Sequence, residues 1–356
     1  MKEENISLIG VVENGKGYVT FNIIKNIFME SGFSLIHENK NGNIAFLSSS
    51  ENIYIGIINI SFENLKHLSS LEINFDIVVC TNIGYKILLR KEEKLFFTYL
   101  NGIIILNIDN ENNIELLEGN DKALVITYGL NNKATVNASS LDINNSIRFN
   151  FCLQREIKTL YKDTIEPLEF PVEINLFGKE YIYSALAAIS VALCYGLNID
   201  DIRYGVLNVE GSYRKMEKIH EDDFIAIDNF CMNPEDYSSV FETIQHLKYK
   251  NIVLLNGIEI DQGIHTIKEN LEIVLNWIPI LGIKKVIFYI DKKDRLIEEN
   301  IKYLFTEKRF PFNIYYNLKE CIQTGLNLIE KDDMFLFLGS DILKDSKHIL
   351  VDEIEK

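Results

Sequence analysis

The segment VVENGKGYVT, residues 11–20, decides the predicted fold of the N-terminal half of the chain. It lies between an apolar run and a helical pattern. Counted from Gly10, it contains the G-x-x-x-x-G-K spacing of a phosphate-binding loop, which ends on Gly15 and Lys16. In such loops the next residue is Ser or Thr, whose hydroxyl binds Mg²⁺, but here it is Gly17. The segment therefore predicts a phosphate-binding loop that lacks one metal ligand.

Composition and charge exclude several classes of protein. The chain has 356 residues, which is enough for two ordinary domains. A net charge of −16, without a cluster of Lys or Arg, argues against binding to a nucleic acid. The five cysteines form no C-x-x-C pair, so neither a zinc site nor a disulfide framework is predicted. Because the sequence shows neither a secretory leader nor a membrane-length apolar run, we expect a cytoplasmic protein without a membrane partner.

The first part of the chain alternates β-rich and helical patterns. A helix is predicted from Thr20 to a stop at Gly32, and a second, strongly apolar helix at 181–195, closed by Gly196. Continuous apolar runs are typical of strands buried in a parallel sheet, and the last three predicted strands are expected at one sheet edge. The predicted strands are Ser7–Val12, Ile44–Leu47, Ile53–Ile60, Ile77–Cys80, Ile103–Asn107, Leu124–Tyr128, Ala134–Leu141 and Ile147–Leu153.

A second series of strands and helices begins near Phe224. The runs FIAID, NIVLLNG, KVIFYID and MFLFLG are strand-like and are separated by stretches of helical length. The predicted fold class is therefore α/β: a P-loop-type central domain with a mostly parallel sheet at 1–212, followed by a smaller doubly wound, Rossmann-like domain at 213–356. A dinucleotide-binding oxidoreductase is disfavoured because the first turn has no G-x-G-x-x-G.

Several segments resemble, in family order, the Mur ligases, ATP-dependent enzymes that join a carboxylate to an amine in peptidoglycan precursors. The resemblance covers nearly the whole chain. Its segments are NGK at 14–16, FDIVVCTNIG at 75–84, GIIILNIDN at 102–110, VITYGL at 125–130, FGKEYIYSALAAISVALCYGLNIDDIRYGV at 177–206, YRKMEKI at 213–219 and IDNFCMNPEDY at 227–237. The family's N-terminal domain, which holds a UDP-sugar, has no counterpart because the loop starts at residue 10. A UDP-linked substrate held in the usual way is therefore not expected.

The resemblance implies a nucleotide site and an acyl-phosphate reaction. ATP would be the cofactor, and a small-molecule carboxylate and an amino acid would be the partners of an active enzyme. Lys16 would contact the phosphates, Tyr181 the adenine and Asp228 the ribose, while Arg214 would belong to the hinge that positions the nucleotide. The full set of implied nucleotide contacts is Asn14, Gly15, Lys16, Asn82, Tyr181, Arg214, Asp228 and Asn233.

The sequence departs from the family at its metal ligands. Besides Gly17, Asn59 stands where the family has a metal-binding Glu, and Lys86 and Ile87 stand where it has Asp-His. Hard cations need oxygen donors, so we predict no metal ligand and do not expect Mg²⁺. One hypothesis places the Lys86 ammonium where the cation would lie, as a catalytic group paired with a phosphate. The alternative is a solvated Lys at a strand end.

The family also uses a carbamylated lysine between its metal ions. Lys91 and Lys94, in the segment RKEEKLFF, are the candidates. The alternative interpretation is the exposed charged face of an amphipathic helix.

These observations leave two functions open. The first is an active ATP-dependent acid–amino acid ligase. The second is an inactive ligase homologue that binds a nucleotide, another ligand or a protein partner, since fold alone does not settle function.

Overall fold

The computed structural model describes residues 6–13, 17–68, 73–81, 91–143, 146–176 and 178–356. The chain divides into two compact units, Met1–Glu210 and Gly211–Lys356. In the described part of the chain, no helix combines the length and the apolar character needed to cross a membrane.

The first unit is built on a ten-stranded sheet. Its strands are β1 (Ile6–Val12), β2 (Ser34–Glu38), β3 (Ile44–Ser48), β4 (Tyr54–Ile60), β5 (Ile77–Cys80), β6 (Ile103–Asn107), β7 (Leu124–Tyr128), β8 (Val136–Asp142), β9 (Ile147–Leu153) and β12 (Leu168–Ile174), and a separate ladder joins β10 (Ile157–Lys158) to β11 (Thr164–Ile165). The order across the sheet is β12-β9-β8-β7-β6-β5-β1-β4-β3-β2. The central strands β4, β1, β5, β6, β7 and β8 pair in parallel. Antiparallel strands complete both edges, β9 and β12 beside β8 and β3 and β2 beside β4.

The helices of the first unit are α1 (Val19–Glu30), α2 (Leu65–Leu68), α3 (Lys91–Thr98), α4 (Glu111–Glu115), α5 (Lys179–Tyr195) and α6 (Ile199–Leu207). Helices α5 and α6 both pack on α1. Gly205 of α6 allows this close approach, because a Cβ there would lie 2.5 Å from the Cα of Ile27. Helix α5 ends at Gly196, whose φ of 84° is the left-handed conformation that favours glycine.

The second unit has a six-stranded sheet with the order β13-β14-β18-β15-β16-β17. Its strands are β13 (Glu217–Glu221), β14 (Ile225–Phe230), β15 (Ile252–Ile258), β16 (Ile283–Ile290), β17 (Phe312–Tyr315) and β18 (Met334–Gly339), and its helices are α7 (Pro234–Ile244), α8 (Ile264–Leu281), α9 (Arg295–Glu307), α10 (Leu318–Leu326) and α11 (Ser346–Ile354). All pairings are parallel except that of β13 with β14.

The α/β fold predicted from the sequence is confirmed. Strands β5 and β6 are buried at every position and lie inside the parallel part of the sheet, as their continuous apolar runs predict. The sequence analysis missed the ladder of β10 with β11 and four edge strands, which are β2 and β12 in the first sheet and β13 and β17 in the second. Strand β2 lacks the buried alternating pattern that marks a strand, and β12 contains Pro171, which a sheet tolerates at an edge.

Candidate functional site

The carboxyl ends of the parallel strands of the first sheet meet at one edge, where open α/β sheets bind their ligands. Polar residues mark this edge. Glu13 follows β1, Asn59 lies near the end of β4, Thr81 follows β5 and Asp109 follows β6. This set of residues, which we call the first-sheet edge, is the candidate site.

Glu13 is tied to the first turn of helix α1. Its Oε1 accepts a hydrogen bond from the backbone N–H of Thr20 at 3.2 Å and lies 3.0 Å from the Thr20 hydroxyl. Its Oε2 accepts a hydrogen bond from Asn59 Nδ2 at 3.4 Å. The Thr20 hydroxyl also lies 3.1 Å from the hydroxyl of Ser184, on α5. One carboxylate therefore joins a strand end, a helix start and the neighbouring strand.

This arrangement corrects the sequence analysis, which placed no carboxylate beside Asn59. Residues 11 and 59 face each other in the parallel pairing of β1 with β4, so Glu13 leaves its strand next to Asn59. Gly10, counted in the sequence as the first loop glycine, lies inside β1. A Cβ at Gly10 would lie 3.1 Å from side-chain carbons of Ile60 and Phe75, so packing explains this glycine.

Asp109 is the second carboxylate of the first-sheet edge. Its Oδ2 accepts hydrogen bonds from the Leu130 N–H at 2.6 Å and the Tyr183 hydroxyl at 3.0 Å, and its Oδ1 accepts one from the Asn131 N–H at 3.2 Å. Gly129 permits this approach, because a Cβ there would lie 2.8 Å from the Asp109 carboxyl carbon. Three segments that carry the family resemblance thus meet at one side chain.

Tyr128, at the end of β7, is a buried tyrosine with a raised pKa. Its ring is fully buried, and its hydroxyl donates a hydrogen bond to the Cys80 carbonyl at 3.3 Å. Burial raises the pKa of Tyr128 well above its ordinary value, and the negative charges of Glu13 and Asp109 add to that rise.

One predicted site residue, Tyr181, lies on helix α5. Tyr181 is 2% exposed and belongs to the main hydrophobic core of the first unit. Its predicted contact with adenine stays a prediction, and packing accounts for its present position. Ser184, which replaces an Asn of the family motif, contacts Thr20 instead.

Other predicted residues fall outside the described part of the chain: Asn14, Gly15, Lys16, Asn82 and Lys86. Their predicted roles stay predictions, as does any role for the Lys91 side chain. Lys94 is described. Its Nζ lies 2.8 Å from Glu118 and 3.5 Å from Glu115, and the hydrogen bond with Glu118 raises the pKa of Lys94. Carbamylation needs the neutral amine, so this ion pair favours the charged-face interpretation.

In the second unit, Arg214 and Asp228 form a buried ion pair. Arg214 Nε lies 3.0 and 2.9 Å from the two carboxylate oxygens of Asp228, and its Nη2 lies 2.9 Å from Oδ1. The guanidinium also donates to the carbonyls of Gly339 and Ser340, and the Ser346 hydroxyl donates to Asp228 Oδ2 at 3.0 Å. Both side chains of the pair are at most 2% exposed. Their predicted nucleotide contacts stay predictions.

Asn233 begins helix α7 as its N-cap. Its Oδ1 accepts hydrogen bonds from the backbone N–H groups of Glu235 and Asp236, both at 3.0 Å, and the Asp236 carboxylate accepts one from the Asn233 N–H in return. Pro234 occupies the first helical position, where it loses no hydrogen bond. The Asn-Pro pair of the resemblance thus forms a capping box, and its predicted nucleotide contact stays a prediction.

The carboxylate oxygens of the first-sheet edge are engaged with the protein. Both oxygens of Glu13 and both oxygens of Asp109 already accept hydrogen bonds from the protein. The described residues contain no group of three or more His, Cys, Asp or Glu side chains that could hold a metal ion. The neighbouring segments 14–16 and 82–90 contain no Asp, Glu or His in their sequence. Hard cations need several oxygen donors, and the expectation that Mg²⁺ does not bind here stays a prediction.

Comparison with known protein sequences identifies relatives of this chain. The chain is 27% identical over 261 residues to the UDP-N-acetylmuramate–L-alanine ligase of Buchnera aphidicola subsp. Acyrthosiphon pisum (strain Tuc7), covering 66% of this chain and 51% of that protein. The chain thus spans about half the length of the curated relatives it matches first. No family model matches the sequence.

Solved structures share the fold. MurF from Acinetobacter baumannii superimposes with a TM-score of 0.76 at 14% identity, over 99% of this chain and 77% of that one. MurF ligase from Thermotoga maritima in complex with ADP gives a TM-score of 0.70 at 11% identity, over 99% and 81%. At these identities the likeness shows the architecture alone.

Proposed function

We propose that this chain, a homologue of the Mur ligases, binds a nucleotide or another phosphate-bearing ligand at the first-sheet edge without forming an amide bond. The observation that carries the proposal is the donor set of that edge. Its two carboxylates are held by the protein's own N–H and O–H groups, and Asn59 stands where the resemblance expects a carboxylate. Phosphoryl transfer depends on metal-centred charge stabilisation, so its loss costs several kcal/mol of barrier.

Phosphate binding without a metal needs other positive groups. Helix α1 starts close after the NGK segment, and helix N-termini attract anions. Lys16 supplies one ammonium in this proposal, and Lys86 supplies another in place of the cation. The ADP complex of a MurF ligase with the same fold supports a nucleotide as the ligand.

The test is ADP affinity, measured by isothermal titration calorimetry in EDTA and then in Mg²⁺. We expect equal affinity in both, and a loss of affinity in Lys16→Ala and Lys86→Ala. Lys250→Ala is the matched control, because Lys250 is an exposed lysine of the second unit that pairs with Glu330 at 2.9 Å. An affinity that needs Mg²⁺, or that survives both substitutions, contradicts the proposal.

The second candidate is an active ATP-dependent acid–amino acid ligase that acts on a small-molecule carboxylate. The Asn14-Gly15-Lys16 segment and the likeness along the chain favour it. Phosphate release from Mg²⁺-ATP with mixed amino acids separates the two candidates. Release that depends on Lys16 would establish the ligase, and its absence in a protein that binds ADP supports the binding function.

A further inference from the structure

The segment 213–217, near the start of the second unit, has a strained backbone. Arg214 has a φ of 49° and Met216 a φ of 47°, so two of three consecutive residues lie in the left-handed region without being glycine. In that region the Cβ atom is crowded by the backbone, and the conformation persists only where surrounding contacts hold it. Both side chains are buried. The segment 213–217 is therefore held in place by its neighbours.

Strand β14 supplies one set of these contacts. The Phe230 N–H donates to the Arg214 carbonyl at 2.7 Å, and the Met216 N–H donates to Asn229 Oδ1 at 2.7 Å. Asp228 of the same strand pairs with the Arg214 guanidinium. The strand thus binds both left-handed residues of the segment.

Residues 340–347, which run from the end of β18 into helix α11, supply the second set. The Tyr213 hydroxyl donates to the Lys344 carbonyl at 3.1 Å. Lys347 Nζ lies 2.6 Å from Glu217 Oε1. Because Tyr213 and Glu217 are the first and last residues of the segment, both of its ends are bound to this part of the chain.

The same part of the chain also completes the surroundings of Arg214. The Arg214 Nη1 donates to the Ser340 carbonyl, and Nη2 donates to the Gly339 carbonyl and to Asp228. The Ser346 hydroxyl donates to the Asp228 carboxylate, to which Arg214 Nε also donates. Each nitrogen of this guanidinium therefore has a protein partner, and the side chain is 1% exposed.

We propose that residues 340–347 form a latch that closes the segment 213–217 and withholds Arg214 from solvent and from ligands. Two of the nine residues of α11, Ser346 and Leu350, are buried, whereas β14 is buried along its centre. Elements with few buried residues open locally at a lower free energy than the core of a sheet. Opening of the latch also lets Arg214 and Met216 leave the left-handed region, which favours the open state. The proposal concerns contacts within the second unit and does not depend on the proposed function.

The first test is hydrogen exchange measured by mass spectrometry on the full chain. We expect peptides that cover 213–217 and α11 to exchange at similar rates, and faster than peptides from β15, which is buried at every position. Exchange of 213–217 as slow as that of β15 would show that the segment opens only when the whole unit unfolds. That result would overturn the latch.

A matched pair of lysine variants makes this test specific. Lys347→Ala removes an ion pair of the latch, in which the lysine is 56% and the carboxylate 22% exposed. Lys302→Ala removes the pair with Glu298 on α9, in which these values are 57% and 22%. Exchange of 213–217 should become about two- to fivefold faster in Lys347→Ala and should not change in Lys302→Ala, because α9 stays folded when the latch opens. Equal effects of the two variants would contradict the proposal.

The second test is the reactivity of Arg214 with phenylglyoxal, which modifies accessible guanidinium groups. Arg295, which is 92% exposed, is the internal standard. We expect Arg214 to react far more slowly than Arg295 in the wild type, and about tenfold or more faster in Ser346→Ala than in the wild type, since a hydrogen bond to a charged group is then lost from the closed state. If Ser346→Ala does not fold, Lys347→Ala is the second variant and should give a smaller rise. Wild-type reactivity of Arg214 in the folded variants, or reactivity equal to that of Arg295 in the wild type, would show that the latch does not withhold Arg214.

Discussion

Glu13 in the first unit and Asp228 in the second are both carboxylates near the carboxyl ends of parallel strands, but the protein treats them differently. Asp228 is 1% exposed, and a guanidinium lies against both of its oxygens. Glu13 is only partly buried. Its carboxylate accepts hydrogen bonds from the Thr20 N–H and the Asn59 side-chain amide, and it lies next to the Thr20 hydroxyl. The carboxylate at the strand end therefore belongs to a buried ion pair in the second sheet, whereas in the first sheet it is partly exposed and bound by uncharged donors.

The difference follows from the free energy that the folded protein would lose if each carboxylate lost its hydrogen-bond partners. A buried ion pair that loses one partner leaves an uncompensated charge away from water, which is strongly destabilising. A partly exposed carboxylate can exchange protein donors for water at a small cost. Asp228 is therefore fixed by the fold, whereas the loss of one partner would cost Glu13 less.

Replacing Arg214 should have the largest effect, because it tests directly whether the ion pair fixes Asp228. In Arg214→Met the Asp228 carboxylate stays buried without its cation, and the carbonyls of Gly339 and Ser340 lose their donor. We expect the free energy of unfolding of the second unit to fall by about 3–5 kcal/mol. Urea unfolding followed by fluorescence measures this loss, because the single tryptophan, Trp277, lies in α8 of that unit.

Two further variants test whether the loss of stability in Arg214→Met comes from the burial of the ion pair. Arg295→Met removes an arginine that is 92% exposed and pairs with Glu299 at 2.7 Å, and it should cost less than about 1 kcal/mol. Arg214→Met combined with Asp228→Leu should recover part of the loss, because no buried charge then remains. If Arg214→Met costs no more than Arg295→Met, the ion pair is not what fixes Asp228.

The sequence predicted the elements of both units better than their contacts. Apolar runs and helix stops are local signals, so strands such as β5 and the end of α5 at Gly196 follow directly from the residues. The contact of Glu13 with Asn59 instead depends on β1 lying next to β4, and no local pattern gives that strand order. Its signal in the sequence was an acidic residue after a predicted strand and a Thr at the next helix start.

The second unit shows the same limit. Arg214 and Asp228 were each selected from the sequence by resemblance, but nothing in it showed that they pair with each other. The pairing needs Glu217 opposite Asp228 in the antiparallel contact of β13 with β14, which brings the preceding Arg214 alongside. Resemblance identified the residues, and strand order determines what they contact.

Removing the cap of helix α7 has an intermediate effect and tests a predicted nucleotide contact. Asn233→Ala leaves the N–H groups of Glu235 and Asp236 without their side-chain acceptor and should cost about 1 kcal/mol. Trp277 fluorescence follows the loss, because its ring lies 5.9 Å from that of Phe241 on α7. The control is Asn317→Ala, which removes the N-cap of α10, where Asn317 accepts a hydrogen bond from the Glu320 N–H.

ADP affinity tests whether Asn233 also binds a ligand. We expect Asn233→Ala and Asn317→Ala to bind ADP as tightly as the wild type, and Asn233→Asp to restore the cap. A drop in ADP affinity confined to Asn233→Ala would contradict a purely structural role and place this residue beside the ligand.

The smallest expected effect concerns Glu298, a surface carboxylate that extends the comparison of Glu13 and Asp228 to a more exposed position. It accepts a hydrogen bond from the Tyr316 hydroxyl and lies 3.0 Å from Lys302 Nζ. The Tyr316 hydrogen bond, followed by that of Lys302, lowers the pKa of Glu298 below its ordinary value of about 4.3. A lowered pKa in the folded state means stability that is present above pH about 4.3 and is lost as the pH falls through the folded-state pKa.

Glu298→Gln should therefore lose stability relative to the wild type at pH 6, and the difference should shrink toward pH 3. Urea midpoints of the two proteins across that range measure the change. Glu299→Gln, which alters a carboxylate paired with the exposed Arg295, should show a flatter difference, because its partner is held only by solvent-exposed contacts. A difference for Glu298→Gln that grows toward pH 3 would mean that the hydrogen bonds favour the protonated carboxyl.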